Sequence, residues 1–111
     1  MIALFLRFMH YLFCGKAKEK ERYAKNWPEI SRRYRARKKW TCERCKVNLK
    51  RNRNLLHCHH RNRNPRDNRR RNLRALCIVC HSQQAGRGHR QIRRQAVKNG
   101  NWAKLQRIRT R

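Results

Sequence analysis

Two Cys-x-x-Cys pairs constrain the fold of this chain more than any other feature. Cys42 and Cys45 form the first pair, and Cys77 and Cys80 form the second. Two such pairs supply four thiolates, which is the ligand set of a tetrahedral structural zinc site. The pattern therefore predicts one structural zinc that closes the intervening chain into a loop. Disulfides are the alternative, but this spacing favours metal binding.

A zinc ion would compensate for a shortage of core-forming residues. The chain has 111 residues, of which 38% are hydrophobic. A chain this short buries too little surface to be stable unless a metal or disulfides supplement its core. We therefore expect one small α+β domain stapled by zinc. A reducing compartment would keep Cys14 and Cys58 as thiols, which predicts a cytoplasmic protein, with an organelle as the alternative.

The charge of the chain indicates its partner. Thirty-three Lys and Arg residues against five acidic residues give a formal net charge of +28. Lys and Arg side chains neutralise phosphates and release condensed counterions, which gives affinity for nucleic acid whatever its sequence. Nucleic acid is therefore the expected partner, and an acidic lipid surface is the alternative. The arginines expected to bind phosphate are Arg32, Arg33, Arg35, Arg37, Arg69, Arg70 and Arg71.

The first 25 residues are expected to form an N-terminal extension that is apolar and then charged. Residues 1–13 are apolar, but this stretch is too short and too interrupted to span a bilayer, so no transmembrane segment is expected. It also lacks a basic segment before the apolar run and a cleavage site of small residues, both typical of a signal peptide. We expect residues 1–13 to pack on the domain, with attachment to a membrane surface as the alternative.

Helix signals precede the first cysteine pair. Asn26 or Trp27 suits the cap of a helix, Pro28 suits its first turn, and Glu29 complements the positive end of the helix dipole. The sequence therefore predicts a helix from this point to about Lys39.

Further elements are predicted from local patterns around and after the cysteines. Residues 47–50 and 55–60 have the character of two short strands, and we expect them to form a hairpin. A second helix should begin near Cys77. Residues 90–111 predict a basic tail of one or two helices, and Asn99-Gly100 should divide them.

Short motifs accompany the two cysteine pairs in a defined order. His59-His60 and Asn72-Leu73 lie between the pairs, and His81 directly follows the second pair. This order resembles the HNH endonuclease family, particularly its small phage-type members. The resemblance covers residues 27–89, beginning with Trp-Pro-Glu-Ile-Ser-Arg-Arg. It implies an HNH domain at residues 26–89, with a zinc-stapled treble-clef or ββα-metal fold, that hydrolyses phosphodiester bonds of DNA. RNA is the alternative substrate.

The resemblance also implies roles for individual residues. His60 matches the general base, and Asn72 matches the asparagine that orients His60 or the metal ligands. His59 and His81 match the ligands of a catalytic divalent ion, which would be Mg, Mn, Ni or Zn. These groups suit the reaction, because phosphodiester cleavage needs a base that activates water and a cation that neutralises charge on the phosphate.

Each of these residues also has a simpler interpretation. Neighbouring residues of a strand point to opposite faces, so either His59 or His60 could be merely packed or exposed. His57 shares a face with His59 and is an alternative ligand. Asn72 could cap a turn, and His81 could support the zinc site through a hydrogen bond.

Two other residues near the motifs could contribute. Asp67 is an acid in an arginine-rich loop, and we expect it to pair with an arginine rather than bind metal. His89 could reach the phosphate. The alternative function is a catalytically silent, zinc-stabilised nucleic-acid-binding protein, which would need the cysteines and the charge but not the histidines.

Overall fold

The computed structural model describes residues 22–110, apart from the side chain of Arg87. Within these residues the chain forms a two-stranded sheet and four α-helices, a small α+β fold as expected. Most of the predicted N-terminal extension, residues 1–21, lies outside the described part. The elements in chain order are α1 (Trp27–Arg37), β1 (Leu56–His60), β2 (Leu73–Cys77), α2 (Ile78–Ser82), α3 (Arg87–Lys98) and α4 (Asn101–Arg109).

Helix α1 begins where the sequence predicted. Its first residue is Trp27 and Pro28 lies in the first turn, where the missing backbone N–H of proline costs nothing. The helix ends at Arg37, slightly earlier than expected. Lys39 and Trp40 adopt φ values of 55° and 56°, which a right-handed helix cannot accommodate.

The sheet differs from the predicted hairpin. β1 pairs antiparallel with β2, so that Leu56 lies opposite Cys77 and His60 lies opposite Leu73. The expected pairing of residues 47–50 with residues 55–60 is therefore wrong.

The segment from 47 to 50 instead folds back on the first cysteine pair. Lys46 has a φ of 66°, which turns the chain, and Asn48 then forms a single bridge with Thr41. Leu49 follows and donates its backbone N–H to Trp40 O at 2.8 Å. The alternation of apolar residues is real, but it belongs to a turn beside the first cysteine pair rather than to a strand of the sheet.

Helices α3 and α4 complete the core. They are separated at Gly100, as predicted, and its φ of 84° is a conformation that favours glycine. Ala96 of α3 and Leu105 of α4 are buried in the same hydrophobic cluster as the sheet. Helix α3 also crosses the predicted boundary at residue 89 between the domain and the C-terminal tail. The tail therefore contributes to the core of the domain.

A half-buried acid connects α1 to the first cysteine pair and the sheet. Glu43 Oε2 accepts hydrogen bonds from the Tyr34 hydroxyl at 2.8 Å and from the Ala75 backbone N–H at 2.6 Å. The Tyr34 hydroxyl also lies 2.8 Å from Leu73 O. Burial is the main reason that the pKa of Tyr34 is raised well above its usual value, and the hydrogen bond to the Glu43 carboxylate raises it further.

Two arginines pack over a buried tryptophan on the other side of α1. The guanidinium carbons of Arg35 and Arg53 lie 5.2 Å and 4.4 Å from the ring centroid of Trp40, which is 7% exposed. Arg35 Nη1 also donates to Leu56 O at 3.0 Å.

Among residues 22–110, no helix is long and apolar enough to cross a membrane.

Candidate functional site

The four predicted zinc ligands converge in the structure. The sulfurs of Cys42, Cys45, Cys77 and Cys80 all lie within 4.8 Å of one another. Cys45 is half-buried and the other three are buried. The Cys45 and Cys77 sulfurs are 3.7 Å apart, far beyond the S–S bond length of about 2.05 Å, and all five described cysteines are free thiols. This four-cysteine cluster can therefore hold a structural metal ion such as zinc.

Backbone geometry at each pair prepares the sulfurs for a cation. The Cys45 N–H points at Cys42 Sγ at 3.5 Å, and the Cys80 N–H points at Cys77 Sγ at 3.4 Å. A hydrogen bond from the Cys77 thiol, more than those from backbone N–H groups, lowers the pKa of Cys42 to about 4. The same bond, followed by burial, raises the pKa of Cys77, and burial raises that of Cys80, so a metal ion must displace protons from these sulfurs. The bonds from backbone N–H groups favour the thiolate form that binds metal.

A second cluster consists of three histidines from three elements. His59 lies on β1, His81 on α2 and His89 on α3, and one ring nitrogen of each lies within 4.8 Å of the others. Each pair of rings has centroids 5.0 Å apart. The structure thus brings together the expected ligands His59 and His81. It adds His89, which was expected only to approach the phosphate.

His59 and His81 of this cluster, and the neighbouring His57, are held in the neutral form. Burial lowers the pKa of His59 to about 4 and that of His57 to about 4, because the charged imidazolium loses its hydration. Burial also lowers the pKa of His81 strongly, and the neighbouring histidines add to the effect. Neutral imidazole is the form that binds metal, so these rings can act as ligands at neutral pH.

A hydrogen bond fixes which nitrogen His89 presents, and another joins His81 to His57. His89 Nδ1 lies 2.6 Å from Ala85 O, and because a carbonyl oxygen only accepts, Nδ1 donates and the lone pair is on Nε2. His81 Nδ1 lies 2.9 Å from His57 Nδ1. His57, the alternative ligand, therefore contacts the cluster by supporting His81, and the three-histidine group itself does not include it.

His60 lies beside this cluster in a different environment. Its ring packs against Trp27 with centroids 4.4 Å apart, and it is 7% exposed. His60 Nε2 lies 2.8 Å from Asn68 Oδ1, which only accepts, so Nε2 donates and the lone pair is on Nδ1. The ring is therefore held by its contact with Trp27 on one side and by a hydrogen bond at one end.

Asn72 organises the loop that carries Asn68. Its Nδ2 donates to Asn62 Oδ1 at 2.9 Å and to Asp67 O at 2.8 Å, while its Oδ1 accepts from the Asn62 N–H at 3.0 Å. The described hydrogen bonds of the Asn72 side chain are thus made to the loop. The loop in turn contacts His60 through Asn68. Asp67 pairs with Arg69 at 2.7 Å, which confirms the expected ion pair.

The arginines expected to bind phosphate have different surroundings. Arg32 and Arg33 both contact the Glu29 carboxylate at 2.7 Å on the exposed side of α1. Arg35 bonds to backbone carbonyls and packs over Trp40, so it has a structural part in the fold. Arg69 pairs with Asp67. The remaining side chains, Arg37, Arg70 and Arg71, are exposed.

One cavity joins the two groups of histidines. It has a volume of about 540 Å³ and is lined by all five histidines of the described residues. Arg22, Tyr23 and Arg63 lie on its walls. The three-histidine cluster, His60 and positively charged side chains therefore face the same space.

Comparisons with known proteins give one partial likeness. The chain is 44% identical over 62 residues to the Zorya protein ZorE of Escherichia coli. The similar segment covers 56% of this chain but only 17% of the relative. No protein-family model matches the chain, and no solved structure matches it significantly.

The sequence did not indicate that His89 lies against His59 and His81, or that Asn68 contacts His60. His89 carries no motif that ties it to His81, although its place soon after the second cysteine pair was a signal that it lies nearby. Asn68 belongs to a loop with several asparagines, and nothing in the sequence distinguishes it from the others.

Proposed function

We propose that this protein is a metal-dependent HNH endonuclease that hydrolyses phosphodiester bonds of DNA. The observation that carries the proposal is the position of His60 beside a cluster of three histidines in one cationic cavity. The finer assignment of the fold to the treble-clef or ββα-metal type belongs to the same proposal. It is supported by two antiparallel strands followed directly by α2, with the second cysteine pair at their junction.

The three histidines suit a divalent metal ion of a particular kind. Imidazole nitrogen favours zinc and nickel, whereas magnesium prefers oxygen ligands. His59, His81 and His89 would hold the ion, and the hydrogen bond from His89 to Ala85 O is the type of support that orients metal-binding histidines. When bound, such an ion neutralises charge on the phosphate and the departing oxygen. Of the four candidate metals, zinc and nickel are therefore preferred.

His60 takes the role of general base in this proposal. With Nε2 donating to Asn68, the lone pair of Nδ1 accepts a proton from the water that attacks phosphorus. Packing against Trp27 limits rotation of the ring. Asn72 acts at a distance, because it fixes the loop from which Asn68 holds His60. Asn72 is therefore a positioning residue.

The basic surface supplies affinity for the substrate. Arg22 and Arg63 line the cavity, and the formal charge of +28 attracts any polyphosphate chain. This attraction does not distinguish sequences, since phosphate contacts carry no base readout.

The test is cleavage of supercoiled plasmid by the purified full-length protein with Mg, Mn, Ni or Zn added separately. We expect nicked or linear product, most readily with nickel or zinc. His60→Gln should lower the rate by about a hundredfold or more, since a general base contributes about 10²- to 10⁴-fold. His89→Ala should raise the concentration of metal needed for half-maximal cleavage.

Controls separate catalysis from folding. His60→Gln must keep the circular dichroism spectrum, the content of tightly bound metal and the affinity for DNA of the parent protein. If His60→Gln cleaves as fast as the parent, His60 is not the base. If the parent cleaves with none of the four metals, a silent zinc-stabilised nucleic-acid-binding protein becomes the better description.

A further inference from the structure

Three neighbouring aromatic rings, those of Tyr23, Trp27 and His60, lie at one side of the cavity, and two of them are stacked. Trp27 packs on His60 with centroids 4.4 Å apart, and Tyr23 stacks on Trp27 at 5.5 Å with an angle of 21° between the rings. The centroid of Tyr23 lies 6.0 Å from that of His60. Tyr23 and His60 both line the cavity, so an aromatic ring borders the space next to the base.

Tyr23 does not pack against the hydrophobic core of the described residues. Trp27 packs against the hydrophobic cluster, but Tyr23 is absent from the described residues that do so. It is half-buried, and the cavity it lines is open to solvent. A tyrosine that stacks on the fold without completing the core can offer its ring to a ligand.

The same wall carries positive charge. Arg22 and Arg63 are exposed and line the cavity with Tyr23. Arg63 has a φ of 63°, an uncommon conformation for a residue other than glycine that ends the turn after β1. An aromatic ring and guanidinium groups that line one cavity match the two parts of a nucleotide, which are a flat base and a phosphate.

We propose that this cavity binds an unpaired nucleotide, whose base stacks on Tyr23 while its phosphate contacts Arg22 and Arg63. A paired base has both faces covered by its neighbours, so only a base outside a regular duplex can offer a face to Tyr23. The volume of about 540 Å³ lies within the range of about 300 to 1,000 Å³ that is usual for ligand pockets. The substrate is then a single strand, or a duplex distorted at the site. This inference rests on the proposed function in placing the nucleotide beside the bond that is cleaved.

The test measures binding rather than cleavage, so that it stands whether or not the protein is a nuclease. Full-length protein without added divalent metal is titrated against labelled single-stranded DNA, single-stranded RNA and duplex DNA of equal length. Salt is raised until general phosphate attraction is largely screened. Tyr23→Leu removes the ring and keeps an apolar side chain, and Tyr23→Phe is the matched control that keeps the ring.

Tyr23→Leu should weaken binding of single strands by about fivefold to a hundredfold, the range for one stacked base, and should change duplex binding less than about twofold. Tyr23→Phe should bind single strands as the parent does. A loss with DNA or RNA single strands supports the site, and the comparison between them shows whether the sugar matters. Unchanged single-strand affinity in Tyr23→Leu, or an equal loss on duplex, overturns the proposal.

Photocrosslinking gives a second readout that does not depend on affinity. A single strand that carries iodouracil should crosslink to the peptide containing Tyr23, and mass spectrometry identifies the residue. Crosslinks found only on other peptides overturn the proposal. A plasmid that remains uncut would count against the proposed hydrolysis and leave this binding result unaffected.

Discussion

Replacing Cys80 by serine should unfold the protein rather than weaken it slightly. A structural zinc contributes an apparent free energy of about 10 to 16 kcal/mol, whereas whole domains are stable by about 5 to 15 kcal/mol. For comparison, full burial of one leucine contributes about 1.5 to 3 kcal/mol. The largest fully buried side chains of the described residues are five leucines and two members of the four-cysteine cluster: Leu49, Leu55, Leu56, Leu76, Leu105, Cys42 and Cys77. Loss of zinc therefore outweighs the loss of several core leucines.

The assay combines metal analysis with unfolding by urea. The parent protein should hold about one tightly bound zinc per chain, as a four-thiolate site implies. Cys80→Ser should hold much less zinc and show no cooperative transition. Cys58→Ser is the matched control, because Cys58 is a cysteine of the same loop that lies outside the four-cysteine cluster. It should keep the zinc and a cooperative transition.

Two results would refute this reasoning. The first is a zinc-free parent protein that keeps its full native spectrum and its cooperative transition. The second is a Cys58→Ser variant that loses as much zinc as Cys80→Ser, which would mean that the cluster is not the metal site.

Three further outcomes are expected. Tyr34→Phe should lower the free energy of unfolding in urea by about 1.5 to 3 kcal/mol, because it removes a hydrogen bond to the Glu43 carboxylate, and equal stability would contradict this. The logarithm of duplex affinity should fall with the logarithm of salt concentration by about 0.9 per phosphate contact, and Arg70→Ala should reduce that slope by about one if Arg70 contacts phosphate. A flat dependence is the contrary result. Asn68→Ala should slow plasmid cleavage with the zinc content unchanged, and an unaltered rate would remove Asn68 from the site.

Features that depend on local chemistry were predictable from the sequence. The start of α1 at Trp27 and the division at Gly100 follow from residues that act on their own backbone, and the four-cysteine cluster follows from spacing alone. The partner of β1 was not predictable in the same way. Val47 and Leu49 have the alternation of a strand, but the turn at Lys46 directs them back to the first cysteine pair.

The site was predictable to the extent that it lies next to the cysteines in the chain. His81 directly follows a zinc ligand, and His59 lies on a strand that pairs with the one leading to that ligand. His89 joins them only because α3 packs against α2, a tertiary arrangement with no short-range signature. Asn68 depends on the folded shape of its loop, which Asn72 fixes through a backbone carbonyl.

The two guanidinium groups over Trp40 show that arginine has a structural role in this protein as well as supplying charge. Arg35 and Arg53 cover a buried ring, and Arg35 also donates to backbone carbonyls near β1. A lysine has the same charge but neither the flat surface nor the forked donors. Replacing Arg35 and Arg53 with lysines would therefore preserve the formal charge while removing the flat groups that cover Trp40, so Arg35→Lys is no conservative change here.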